Sequence, residues 1–249
     1  MCGRFAITAT PEEMRLYFGY AETPNFPPRY NIAPTQPVPV VTGQDGVRHF
    51  TLMRWGFIPG WVKDIKAFPL VINIRSETAR EKASFRAAFA RRRALMPADG
   101  FYEWQKTDGP SRPYLLRRPD RGIFAFAALH ETWSSPDGSE IDTVALLNTN
   151  ANGVIAAIHE RCPVILPPES FPAWLDPQTT PDDAERLLRP PPDDLLEMVE
   201  IGLAINKVAN DEPSVQEPPG SVDTAPPRAA ARATSHRAGK TGGSQGSLF

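Results

Sequence analysis

The chain has 249 residues, 41% of them hydrophobic, with 13 Phe and 5 Trp, which suffices for one large domain, or one domain plus a tail. A formal net charge of −2 excludes a globally basic nucleic-acid binder and confines any such surface to a local patch. Two cysteines, Cys2 and Cys162, exclude a disulfide framework and a cysteine metal cluster, and no apolar run reaches the roughly 20 residues of a membrane span.

The start lacks the charged-then-apolar layout of a secretory signal, so the expected location is cytoplasmic. The first helix is marked at "TATPEEMRLYF". Thr10 suits the N-cap, Pro11 the first helical position and Glu13 a capping box, and Met14, Tyr17 and Phe18 supply an apolar face. Prolines keep "ETPNFPPRYNIAPTQP" extended. Strands are expected at "PVPVV" and "VRHFTLMRW", with a turn around Gln44 to Gly46 between them. From Ser76 to about Arg93 the pattern is helical, with six Lys/Arg against two acids, a local charge of +4. Short strands follow at "ALMPADGFYEW", "PYLLRR", "IFAFAAL", "TVALLNT", "PVIL" and "EMVEIGLAI", with short helices near "PESFPAWL" and at "TTPDDAERLLR". Many short strands, scattered helices and no βαβ alternation predict an α+β domain with an antiparallel or mixed sheet.

After about Asp211 the composition turns to Pro, Gly, Ser, Ala, Thr and Arg, and apolar periodicity ends. The expected division is a domain over 1–215 and a disordered tail over 216–249, either solubilising or a mildly basic nucleic-acid arm.

Chemistry concentrates in few places. Methionine before a small residue is readily removed, which would leave Cys2 with a free α-amine and a thiol. Both groups have reactive fractions near neutral pH. With an aldehyde the pair can form an imine and then a five-membered thiazolidine; with an amide, the thiol can attack while the amine takes its proton. Cys2 can equally be a small, half-buried residue opening a strand. In "LVINIRSET", Asn73, Arg75 and Glu77 flank a strand end and suit either a site or a turn and cap. Asp99-Gly100 reads as a turn. Glu103, between Tyr102 and Trp104, is a proton-transfer candidate if it faces a pocket and an ordinary strand residue if it faces water. His159, beside Glu160 and Arg161 at an element boundary, is either structural or a proton-transfer group. Cys162 heads an apolar run and reads as a buried small hydrophobe. The Arg-rich segment, with Arg4, Arg75, Arg161, Trp55, Trp61 and Trp104, supplies the cations and stacking rings that single-stranded nucleic acid requires, although "ARRRA" also suits a solvated helix end.

The order of these segments is more informative than any one of them. "MCGRFA", "RYNIAP", "RWGFIPGW", "NIRSET", "MPADGFYEW", "IHERCPVIL" and "INKVANDEP" together resemble the SOS response-associated peptidase (SRAP) family over residues 2 to about 215. The resemblance implies a curled, barrel-like, mostly antiparallel sheet with short flanking helices. It implies a sensor of abasic sites in single-stranded DNA in the DNA damage and SOS response. Such a protein removes its own Met1 and forms a reversible, covalent thiazolidine protein–DNA linkage through Cys2, combining protease and lyase-like chemistry. By position, Cys2 matches the nucleophile, Asn73 an orienting residue, Glu103 the proton-transfer carboxylate and His159 the histidine that helps open the sugar. Arg4, Arg75 and Arg161 match phosphate contacts, and Trp55 and Trp104 match stacking or wedge residues. No cofactor, metal or membrane partner is expected. A monomer is the default, nucleoid-associated when bound to DNA. "NIRSET" departs from the family in Ile74, where alanine is common. The rival readings are an N-terminal-nucleophile amidohydrolase or glutaminase, and a non-catalytic single-strand binding module.

Overall fold

Thr10 caps the first helix in the computed structural model, which describes residues 2–220. In chain order the first elements are strand β1 (Phe5–Ile7), helix α1 (Pro11–Phe18), and strands β2 (Arg29–Ile32), β3 (Pro37–Gln44), β4 (Val47–Trp55) and β5 (Asn73–Arg75). Helices α2 (Ser76–Ala79) and α3 (Arg86–Arg91) follow, then strands β6 (Arg93–Ala98), β7 (Gly100–Gln105), β8 (Arg112–Arg117), β9 (Phe124–Ser134) and β10 (Glu140–Asn150). Strands β11 (Arg161–Pro163) and β12 (Ile165–Leu166), helices α4 (Phe171–Leu175) and α5 (Pro181–Arg186), and strand β13 (Glu197–Glu200) complete the series.

Local chemistry sets several of these boundaries. The capping box between Thr10 and Glu13 forms, and Gly19 ends α1 in the left-handed conformation that glycine tolerates. Asp45 and Gly46, both at positive φ, make the tight turn of the β3–β4 hairpin.

The strands form two sheets. One is antiparallel, of order β13-β8-β7-β1-β2. The other runs β10-β4-β3-β6-β9 and closes on itself where β9 pairs again with β10, making a barrel. Pairings of β10 with β4 and β5 are parallel, so the barrel is mixed within an otherwise antiparallel framework. Residues Thr143 to Thr149 of β10 are buried without a break, as befits a strand covered on both faces. Phe5 of β1 packs edge-on against Trp55 (5.1 Å between ring centres) and Phe126 (6.0 Å), tying the open sheet to the barrel. Each such fully buried ring stabilises the fold by about 1.5–3 kcal/mol.

The chain changes sheets at Asp99. Its carboxylate accepts from the Thr8 hydroxyl (2.7 Å), the Thr8 amide and the Ala9 amide (2.9 Å), which pins the corner between β6 and β7 to the end of β1. The expected turn at Asp99-Gly100 is therefore this corner.

The single helix expected over 76–93 is replaced by two short ones. Arg93 instead opens β6, where Arg93–Ala98 pairs with β9 to close the barrel. The break between the two helices falls at 80–85, where the chain turns, and strand pairing claims only Arg93. Three of the six positive charges of the segment are spent internally. Arg93 is buried and donates to the carbonyls of Trp174, Phe89 and Ala90, Arg92 pairs with Glu131, and Arg80 pairs with Asp182 and Glu185. Lys82, Arg86 and Arg91 stay exposed.

Packing runs on through Gln216, which donates to the Tyr102 hydroxyl (2.9 Å), and Glu217, whose carbonyl accepts from Gly202. Residues 221–249 of the expected tail lie outside the described residues.

Candidate active site

Cys2 enters the fold just ahead of β1 and is buried. Asn73, on the barrel strand β5, donates its Nδ2 to the Cys2 carbonyl (2.8 Å). Two residues on, the Arg4 carbonyl accepts from the Tyr102 amide of β7 (3.0 Å) and from the Cys2 thiol (3.5 Å). The first residues are thereby clamped between the two sheets, and the frayed terminus that position 2 would suggest is absent.

Glu103 follows Tyr102 on β7 and is buried, so this carboxylate does not face water. Burial pushes the Cys2 thiol far above the usual range, and the Glu103 charge pushes it further. Cys162 is pushed up to about 11, chiefly by burial, with a smaller contribution from Glu103. Both thiols thus feel the Glu103 charge, and both rest as neutral SH groups. The Asn73 Oδ1 is buried and has no hydrogen-bond partner among the described residues. Such an acceptor costs about 1–3 kcal/mol until a donor reaches it.

His159 lies on the loop between a 3₁₀ turn (Ile155–Ala157) and β11. That turn approaches the end of β7, where Gln105 contacts the Ala157 carbonyl. The His159 Nδ1 accepts from the Arg161 amide (2.9 Å), so in this arrangement its proton is on Nε2. Asn73 thus bonds Cys2 directly, the Glu103 charge acts on the Cys2 thiol, and β7 contacts the turn that precedes the His159 loop.

The expected DNA contacts divide. Arg75 is exposed, and its side chain makes no hydrogen bond or ion pair among the described residues. Arg4 is half-buried, with Nη1 donating to Asn31 Oδ1 (2.7 Å) and the Ile205 carbonyl (3.1 Å). Trp104 is half-buried, its Nε1 donating to Asn206 Oδ1 (2.8 Å). Two expectations are corrected. Trp55 is fully buried against Phe5 and donates to the Ile72 carbonyl (3.1 Å), so no face is open for stacking. Arg161 has all five guanidinium N–H groups accepted internally, by Glu77, Asn148 and Asn150, so it offers no free donor to a phosphate.

Two residues of the surroundings escaped the reading by type. Asn31 is fully buried, and its Nδ2 bonds the carbonyls of Ile205, Lys207 and Asn210 while its Oδ1 holds Arg4. Asp211 accepts from the Tyr30 and Asn31 amides and pairs with Arg29. Their signal was a polar residue within each of "RYNIAP" and "INKVANDEP", whose meaning needs the other segment.

Among the described residues no group of three or more His, Cys, Asp or Glu is placed to hold a metal ion, and no helix is long and apolar enough to cross a membrane.

Comparison with known proteins matches this arrangement. The family model for SOS response associated peptidase (SRAP) matches residues 1–208. The abasic site processing protein YoqW of Bacillus subtilis is 34% identical over 222 residues, covering 87% of this chain and 99% of that protein. The abasic site processing protein YedK of Escherichia coli is 29% identical, covering 75% of this chain and 85% of its own. A crystal structure of a Bacteroides thetaiotaomicron protein superposes with a TM-score of 0.80 at 24% identity, covering 87% of this chain and 99% of that one. A phage-related protein from Bordetella bronchiseptica does so with a TM-score of 0.67 at 28% identity, covering 80% and 94%. The ordered motifs, the clamped N-terminal cysteine and the match over residues 1–208 lead to one conclusion: the chain belongs to the SOS response associated peptidase (SRAP) family.

Proposed function

We propose that the chain processes abasic sites in single-stranded DNA by covalent capture through Cys2. The observation that carries this reading is the setting of Cys2, with its carbonyl held by Asn73 and its thiol under the charge of the buried Glu103, in a chain whose relatives are named abasic site processing proteins.

Maturation comes first. Water cleaves the Met1–Cys2 peptide bond, releasing methionine and freeing the Cys2 α-amine. The amine then adds to the aldehyde carbon of the ring-opened abasic sugar, and loss of water gives an imine. The thiol adds to the imine carbon, an S–C bond forms and the nitrogen takes a proton, closing a thiazolidine with no oxidant required. Because the thiol rests protonated, the closure needs a base at the sulfur, a role we give to Glu103, whose charge acts on that thiol. The orphan Asn73 Oδ1 supplies an acceptor for the new amine or a sugar hydroxyl. His159, with its proton on Nε2, is the group that can donate to the sugar ring oxygen as the ring opens. Arg4 and Arg75 serve as phosphate contacts and Trp104 as a stacking surface, positioning the strand without reading its sequence. The reaction is reversible, the protein acts as a monomer, and binding of this kind places it at the nucleoid.

The test mixes the purified chain with a single-stranded oligonucleotide carrying one abasic site. A heat- and SDS-stable shifted band is expected with wild type, and none with Cys2→Ala. Intact mass should show Met1 absent. Folded, Met1-free wild type that gives no band would overturn the proposal, and release of ammonia from glutamine would favour an amidohydrolase.

A further inference from the structure

Arg161 holds more bonds than any phosphate contact could share. Its Nη1 and Nη2 grip Glu77 in a two-pronged ion pair (2.8 and 2.7 Å), and Nη1 also reaches Asn150 Oδ1 (3.0 Å). Nε and Nη2 donate to Asn148 Oδ1 (3.2 and 2.7 Å), and Nη2 to the Asn148 carbonyl (3.0 Å). The side chain is only 12% exposed. Three elements meet here: β11 through Arg161, β10 through Asn148 and Asn150, and α2 through Glu77. Strand β11 has three residues, one of them a proline without an N–H, so its own ladder is a weak anchor. The side-chain network therefore fixes the backbone of residue 161, whose N–H points at His159 Nδ1 (2.9 Å).

We propose that Glu77, acting through Arg161, is a positioning residue that fixes the His159 tautomer. A donor facing Nδ1 requires that nitrogen to be unprotonated, so the proton is kept on Nε2. Glu77 need not touch substrate for this. Its carboxylate holds the guanidinium, the guanidinium holds the strand, and the strand's amide selects the imidazole form. The consequence for capture rests on the role given to His159 above, whereas the tautomer itself does not.

The full chain is prepared with ¹⁵N-labelled histidine as wild type, Glu77→Gln and Glu77→Ala. Two-bond ¹H–¹⁵N spectra at pH 8 then report the tautomer of His159, assigned with His159→Asn. Wild type should show one Nε2–H form. Glu77→Gln keeps one acceptor and should show a minor second form, and Glu77→Ala should show averaging between the two. Single-turnover capture of an abasic oligonucleotide should slow about 3-fold in Glu77→Gln and about 10-fold or more in Glu77→Ala. Affinity for the intact oligonucleotide, and its salt dependence, should stay unchanged. An unaltered tautomer in folded Glu77→Ala would overturn the proposal. So would a salt slope lowered by about one phosphate contact in Arg161→Gln, since that would make Arg161 a DNA contact. If wild type captures nothing while the tautomer follows the variants as stated, covalent capture fails and the positioning role stands.

Discussion

Asn73 Nδ2 and the Cys2 carbonyl lie 2.8 Å apart, a bond that joins residues 71 positions distant and links the barrel to the open sheet. The donor fixes the backbone of the residue whose amine and thiol carry the proposed chemistry. Replacing Asn73 by Asp removes that donor and places a second carboxylate near Glu103. Loss of one such bond is worth about 1–1.5 kcal/mol, so single-turnover capture should fall about 10-fold. Affinity for an intact oligonucleotide, measured by fluorescence anisotropy, should change less than 2-fold.

Glu103 has two readouts that move in opposite directions. As the base for ring closure, its replacement by Gln should slow capture by about 10²-fold or more. The same change removes a negative charge that raises the Cys2 thiol, so alkylation of Cys2 by iodoacetamide at fixed pH should speed up. Slow capture joined to unchanged thiol reactivity would show that Glu103 is not close to the sulfur in solution.

Trp55 and Trp104 should separate stability from binding. Trp55→Ala empties a fully buried site and should lower unfolding free energy by about 3–5 kcal/mol in urea denaturation. Trp104 is partly exposed beside the site, and Trp104→Ala should weaken oligonucleotide binding by about 1–3 kcal/mol with a much smaller stability cost.

His130 predicts an acid limb of stability. Burial, helped by the Arg92 charge, lowers its pKa to about 4. The unfolded chain takes up a proton below about pH 6.5, and the folded chain does so only near pH 4. The contribution is therefore complete above pH 6.5 and is lost progressively as pH falls toward 4, amounting to about 3 kcal/mol. Urea midpoints at pH 7.5, 5.5 and 4.5 should fall less steeply for His130→Gln than for wild type.

What the sequence determined was local or linear. The Thr10–Glu13 capping box and the turn around Gln44 to Gly46 each depend on residues within a few positions, and both form. The ordered motifs indicated the family, and with it the residues to examine at the site. The tertiary structure decided what depended on distant partners. Whether Glu103 faces a pocket or water depended on β7 lying against the segment before β1. Trp55, expected as a stacking surface, became core because Phe5 closes over it. Arg161, expected at a phosphate, was claimed by Glu77, 84 residues earlier in the chain. The helical pattern of 76–93 was broken by turns at 80–85, and its last residue, Arg93, was taken by the strand β6. A cation or an aromatic ring carries the same signature in sequence whether its partner is internal or a ligand. Only the folded chain shows which of its hydrogen-bond donors and ring faces are already taken.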